Sequence, residues 1–155
     1  MSHHQKHTDS HLLIIEKVLL LKSLSIFSET PETVLTEVAD ILEEVELAGG
    51  TTIFKMGDLG NCMYIIFQGE IKIHRDETTL AVLKSNDFFG ELSLLDTETR
   101  SASATALTDV FLLKIDQEPF YELMESRIEV ARGIISTLCH RLRNQNLKGL
   151  QHTDK

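Results

Sequence analysis

Apolar residues recur at two different periods along this chain, and the switch between periods divides it into three parts. Val34, Leu35, Val38, Ile41, Leu42 and Val45 return every three or four positions, while Glu37, Asp40, Glu43 and Glu44 fall on the opposite side. That spacing predicts an amphipathic helix running to about residue 45. Thr30-Pro31-Glu32 reads as its start: the threonine accepts free amides, proline suits the first turn and glutamate suits the positive end of the dipole. Ahead of it, Leu12–Leu24 is apolar except where Glu16, Lys17 and Lys22 interrupt. This reads as a helix from about His11 to Ser23, capped by Ser10, covered on more than one side, and too short to cross a bilayer. Residues 1–10 are polar and read as a mobile tail.

At Gly49-Gly50 the texture changes. From there to Asp116 short apolar runs alternate with glycine or polar turns. Thr51–Phe54, Met63–Phe67, Glu70–His74, Thr79–Leu83, Ser101–Leu107 and Val110–Ile115 read as strands. Ile71 and Ile73 oppose Lys72 and His74, and Ala102, Ala104 and Ala106 oppose Ser103 and Thr105, the two-residue period of a half-buried antiparallel sheet. After Asp116, which is placed to cap Gln117–Glu125, helix returns. Ser126-Arg127-Ile128-Glu129 has the form of a capping box and announces a helix from about Arg127 to Asn146. Gly133 inside it costs about 1 kcal/mol relative to alanine, which points to close packing there. The expected fold class is α+β: an antiparallel, jelly-roll-like β-roll over 46–116, flanked by N-terminal helices over 11–45 and a long C-terminal helix within 117–147. One domain over 11–150 follows from the length of 155 residues.

Composition narrows the function. A hydrophobic share of 42% and a charged share of 25% suit an ordinary globular domain. The formal charge of −9 leaves no whole-chain basic footprint for nucleic acid. Cys62 and Cys139 are far apart, so neither a disulfide framework nor a zinc site is indicated, and a reducing cytoplasm is the expected setting. The first residues lack the apolar stretch of a signal peptide, and direct membrane insertion is not expected. His3, His7 and His11 are four apart, yet a histidine-bearing tail is more often unliganded. His74 is the single histidine of the β-region, so a metal-dependent jelly-roll enzyme lacks its ligands. No nucleophile triad or P-loop is present, and no catalytic residue is assigned.

The segment from Asp87 to Ala102 carries the chemistry. It joins two strands through a short helical turn opening at Gly90-Glu91, where unpaired amides and a glycine let an anion approach the backbone. Arg100 offers a planar fork of donors suited to phosphate, Ser101 adds a hydroxyl, and Glu91 accepts from a sugar hydroxyl. Together these describe a site for a sugar phosphate.

Phe89-Gly90-Glu91-Leu92-Ser93-Leu94-Leu95 followed by Arg100-Ser101-Ala102 resembles the phosphate-binding cassette of the cyclic-nucleotide-binding domain family. That family includes the regulatory subunits of cAMP-dependent protein kinase and the bacterial catabolite activator protein. Gly50, Ile53, Gly57-Asp58, Tyr64, Ile66, Gly69, Ile71 and Ile73 stand at the family's upstream spacing. The resemblance implies that Arg100 meets the cyclic phosphate, helped by Ser101 and the amides near Ser93, with Gly90, Leu92 and Ala102 forming the rest of the cassette. It implies that Glu91 holds the ribose 2′-hydroxyl, and that Ile73, Leu80, Ala81 and Val82 line the apolar wall. Arg141, Leu142, Gln145 and Asn146 on the last helix are brought near the purine. Serine at 101 tilts the base towards cAMP over cGMP. Asn86-Asp87 replaces the family's Gly-Asp, a change asparagine tolerates in a left-handed turn, and Thr99 replaces a proline. Asp96 and Glu98 add negative charge, and a pairing of either with Arg100 would weaken the phosphate site.

The expected function is a ligand-sensing module whose C-terminal helix shifts on binding and signals to an effector protein or a further domain. The other reading is an interaction module of the same fold with an empty pocket. The apolar Leu12–Leu24 helix, covered by the rest of the domain or by a partner, is the expected contact with whatever the module controls. Ile128, Ala131, Ile135, Leu138 and Leu142 form a short seam, either against the chain's own β-roll or across a homodimer. With few residues after the closing helix, no helix-turn-helix is expected within these 155 residues, and the expectation is a stand-alone module or one piece of a larger protein.

Overall fold

The computed structural model describes residues 12–153. The tail at 1–10, the Ser10 cap and His3, His7 and His11 lie outside them. Helix α1 (Ile14–Ser23), a 3₁₀ turn (Ser25–Phe27) and α2 (Glu32–Asp40) come first. The roll follows, as β1 (Glu43–Leu47), β2 (Thr52–Phe54), β3 (Leu59–Gly60), β4 (Cys62–Gln68), β5 (Ile71–Arg75), β6 (Thr78–Leu83) and β7 (Phe88–Phe89). Helix α3 (Glu91–Leu95) is inserted before β8 (Glu98–Thr99), β9 (Ser103–Ala106) and β10 (Val110–Asp116), and α4 (Gln117–Ser126) and α5 (Ile128–Thr153) close the chain. The strands form two antiparallel sheets, ordered β1-β10-β4-β7 and β2-β9-β5-β6, with β3-β8 as a separate ribbon. This is the α+β β-roll anticipated from the sequence.

The β10 run Val-Phe-Leu-Leu-Lys-Ile is apolar on both faces because its sheet is covered on both. Leu112 and the paired Ile66 look into the roll, against Ile71, Ala104 and Ala106. Leu113 and Ile65 look out, into a second cluster built by the helices. There Leu21, Leu24, Phe27, Leu35 and Val38 meet Phe120, Val130 and Ile134, and Phe27 and Phe120 pack edge to face with centroids 6.0 Å apart. Each such large side chain contributes about 1.5–3 kcal/mol by leaving water, so the helices are fastened to the outer face of the roll.

Several expectations change. The helix predicted to continue to residue 45 stops at Asp40, and Glu43–Leu47 is a strand in five-residue register with β10 (Val45 opposite Leu112). Its apolar positions satisfy both periods, and pairing with a strand 67 positions away in sequence decides between them. Thr30 does not cap α2. Pro31 holds the N-cap position, and the Thr30 hydroxyl is fully buried with no hydrogen-bond partner. The Ser126 capping box is not made either: Ser126 ends α4 and its hydroxyl donates back to the Leu123 carbonyl. Asp116 stands at the N-cap of α4 without a side-chain bond, its carboxylate lying 3.4 Å from Lys114 Nζ.

Gly133 confirms the close packing inferred for it. A Cβ there would lie 2.8 Å from Thr30 Oγ1 and 3.3 Å from the Glu29 carbonyl, so α5 crosses the start of α2 at contact distance. Along α5, Leu138 packs on the helical cluster, whereas Ile128, Ile135 and Leu142 stay exposed.

Candidate functional site

Strand β7 sets the site up. Phe89 pairs with Tyr64 of β4 and stacks on its ring at 5.2 Å, which delivers Gly90 to the mouth of the roll. Gly90 takes φ +80°, a left-handed conformation that turns the strand directly into α3. Ser93 and Leu94 anchor α3 in the core, while its first-turn amides have no intrahelical acceptor. Upstream, Asn86 takes φ +74°, the left-handed turn its side chain tolerates.

Arg100 occupies a slot prepared by four other residues. The side chain is 7% exposed, and Nη2 donates to the Cys62 carbonyl at 2.9 Å and reaches Cys62 Sγ at 3.4 Å. Its guanidinium carbon lies 4.2 Å from the centre of the Phe54 ring. Two glycines clear the sides: a Cβ on Gly60 would stand 2.5 Å from Arg100 Nε, and one on Gly90 2.6 Å from Nη1. The main chain is pinned as well, Gly57 N–H donating to the Arg100 carbonyl and Arg100 N–H to the Asp58 carbonyl. Among the described residues no carboxylate forms an ion pair with Arg100. Neither Asp96 nor Glu98 neutralises it.

A cleft of about 300 Å³ opens over this slot. Of the residues singled out from sequence, Ile73, Gly90, Glu91, Leu92, Ser93, Arg100, Ser101 and Ala102 line it. Phe89, Glu98 and Thr99 of the cassette segment line it too, and so does Phe54, which the sequence did not single out. Phe54 reads as ordinary strand core, and the contribution of Cys62 is a main-chain carbonyl, for which a sequence carries no signal. Leu80, Ala81 and Val82 are exposed on β6, outside the lining. Ala81 pairs with Ile73 and Thr79 with His74, so Leu80 is the extra residue of a bulge and strict alternation fails there.

The last helix is placed differently from the expectation. Arg141 forks onto Glu91, with Nη1–Oε1 at 2.9 Å and Nη2–Oε2 at 3.3 Å, and Nη2 also donates to Ser25 Oγ at 2.7 Å. Thr137, one turn earlier, donates to the Ser25 carbonyl at 3.2 Å. The carboxylate expected to meet a sugar is thus held by a helix expected to meet a base. Leu142, Gln145 and Asn146 are exposed and do not line the cleft.

Burial pushes the Tyr64 phenol above the ordinary tyrosine range, and charge on Cys62 pushes the same way, while Arg100 opposes them. Phe54 and Phe89 give the cleft an aromatic side, and Glu91 and Glu98 stand in its lining as carboxylates. The site's one buried cation faces a cleft carrying backbone amides and the Ser101 hydroxyl. Such a constellation recognises an anion of phosphate type. Among the described residues no group of histidine, cysteine or acidic side chains is arranged to hold a metal ion.

A family model for the cyclic nucleotide-binding domain matches residues 44–127. The CRP-like cAMP-activated global transcriptional regulator of Mycobacterium tuberculosis is 32% identical over 142 residues, covering 87% of this chain and 63% of its own length. The cAMP-dependent protein kinase regulatory subunit of Aspergillus niger is 34% identical over 112 residues, 71% of this chain and 26% of that protein. This chain therefore spans less than two thirds of these relatives. Among solved structures, the N-terminal domain of a transcriptional regulator from Streptomyces coelicolor superposes with a TM-score of 0.77 at 35% identity, over 82% of this chain and 92% of that one.

Proposed function

The chain belongs to the cyclic nucleotide-binding domain family, and from that premise we propose that the cleft above Arg100 takes cAMP in preference to cGMP and passes its occupancy to α5. The observation that carries the proposal is a buried guanidinium that opens into a cleft and has no carboxylate partner among the described residues. A buried charge is costly unless paired, and a cyclic phosphate supplies the pair. Arg100, Ser101 and the amides of α3 meet the phosphate, and Glu91 accepts from the ribose hydroxyl. Ile73, with Leu80, Ala81 and Val82 drawn in from β6, covers the apolar side.

For Arg141, Gln145 and Asn146 to reach the base, α5 moves from its present seat. The sugar hydroxyl competing with Arg141 for Glu91 supplies the differential interaction that such a shift needs. The naming of two relatives for cAMP supports the choice of base, as does Ser101. The domain acts as a regulator and not as an enzyme, in the cytoplasm, on an effector protein or a further domain. The charge of −9 favours those outputs over direct contact with nucleic acid. No helix of the described residues is long and apolar enough to cross a membrane.

Titration calorimetry with cAMP and cGMP tests this. Wild type binds, cAMP more tightly, and Arg100→Ala weakens binding by about two orders of magnitude, the scale of removing one member of a desolvated charge pair. Absence of binding by wild type at millimolar nucleotide overturns the proposal.

A further inference from the structure

We infer that Phe54 is a positioning residue for the anion site: its ring is the surface on which the Arg100 guanidinium is held ready before a ligand arrives. The inference rests on the nucleotide-binding reading above and adds a residue to it.

The argument begins with what Arg100 lacks. A guanidinium has five N–H donors and no acceptor, and this one is 7% exposed with no ion pair among the described residues. One protein carbonyl, that of Cys62, takes a full-strength bond from it. Left with that single bond, a long side chain at the rim of a cleft would turn out into water, because solvation of the charge outweighs one hydrogen bond. The Phe54 ring supplies the missing attraction. Its π face is the negative part of the ring quadrupole, and the cation sits 4.2 Å from its centre, inside the range where the interaction is effective and where desolvation strengthens it.

Neighbouring packing makes the ring a fixed surface. Phe54 lies against Phe89 at 5.9 Å and Tyr64 at 6.3 Å. Gly60 and Gly90 remove the side chains that would push the guanidinium off it. With Nη2 spent on Cys62 and the ring beneath it, the guanidinium is held in one orientation at the lining of the cleft. Apparent affinity is reduced by the fraction of molecules in which the competent arrangement is absent, so a weaker ring face means weaker binding with no ligand contact removed.

The experiment replaces Phe54 in the full chain by 4-fluoro-, 3,5-difluoro- and pentafluoro-phenylalanine. These nearly preserve shape while draining the ring's negative face. The dissociation constant for cAMP rises stepwise along the series, to about tenfold at its end, the scale set by a partly desolvated cation–π contact. Phe54→Tyr, which keeps the face, retains wild-type affinity, and Phe54→Leu behaves like the pentafluoro variant. In the unliganded protein, the Arg100 Nε–H proton resonance carries a ring-current shift that Phe54→Leu abolishes. A flat affinity series in a wild type that binds, or an Arg100 resonance unmoved by Phe54→Leu, overturns the inference alone. Failure of the wild type to bind either nucleotide overturns the preceding reading and this one with it.

Discussion

Arg141 and Glu91, fifty positions apart in sequence, share a two-pronged contact of 2.9 and 3.3 Å that ties the longest helix to the turn opening the cleft. Both side chains are partly exposed, at 35% and 21%, so the contact is worth little as stability, about 0.5–1 kcal/mol at most. Its effect is on where α5 rests. Arg141→Ala is expected to lower thermal stability only slightly while amide exchange in α5 beyond Leu138 accelerates several-fold. Arg141→Lys reproduces the faster exchange because an ammonium cannot fork onto a carboxylate. Unchanged exchange in both variants would show that Leu138 and the Thr137–Ser25 bond hold the helix unaided.

Gly60 separates a binding defect from a folding defect. An added Cβ meets Arg100 Nε at 2.5 Å and Ser93 Oγ at 2.7 Å, both ends of side chains that can give way. Gly60→Ala is therefore predicted to displace the guanidinium and weaken nucleotide binding at least tenfold, with the melting temperature within a few degrees of wild type. Gly90→Ala is predicted to weaken binding as well, its Cβ meeting Arg100 Nη1 at 2.6 Å, but also to lower the melting temperature. Its φ of +80° and the Cys62 carbonyl 3.0 Å away are backbone constraints, and the strain costs about 1–2 kcal/mol. Thermal melts beside calorimetry check both outcomes.

The crossing of α5 over the start of α2 makes a third prediction. The Thr30 hydroxyl is buried without a partner, so Thr30→Val, which keeps the shape, is expected to stabilise the domain by about 1 kcal/mol. Gly133→Ala destabilises it despite the gain in helix propensity, because the new methyl meets that same hydroxyl at 2.8 Å. In Thr30→Ala the cost of Gly133→Ala shrinks. Denaturant titration of the four-member cycle gives the coupling, and additivity would mean that the Glu29 backbone is the obstacle.

Tyr64 sets an alkaline limit. Burial raises its pKa in the folded state, so above the ordinary tyrosine pKa of about 10 the unfolded chain loses this proton while the folded one keeps it. Stability contributed by Tyr64 is present below that pH and declines as pH rises past it. Denaturant midpoints measured from pH 9 to 11.5 should fall more steeply for wild type than for Tyr64→Phe. Parallel curves would sink the assignment.

Where the sequence was legible, local pattern and long-range partner agree. The strands β4, β5, β9 and β10 alternate or run apolar as their burial requires, and the glycine-to-arginine spacing of the cassette survives into the cleft lining. Where it was not, a distant partner decides. Glu43–Leu47 fits a helix or a strand until β10 pairs with it. Ser126 begins a capping motif, yet the chain uses it to finish α4. The Arg141–Glu91 pair is illegible for the same reason: nothing near Arg141 in sequence announces a carboxylate fifty positions earlier. Phe54 gives no sign of its role, since an aromatic on a strand is ordinary core until an arginine forty-six positions later settles on its face.

The two main-chain hydrogen bonds of Arg100 both end on the outer loop at Gly57 and Asp58, which is exposed to solvent. The buried slot of Arg100 is thus suspended from the molecule's rind. Substitutions in that short loop are therefore expected to shift the guanidinium without altering any side chain of the cleft, and a screen confined to the cleft would overlook them.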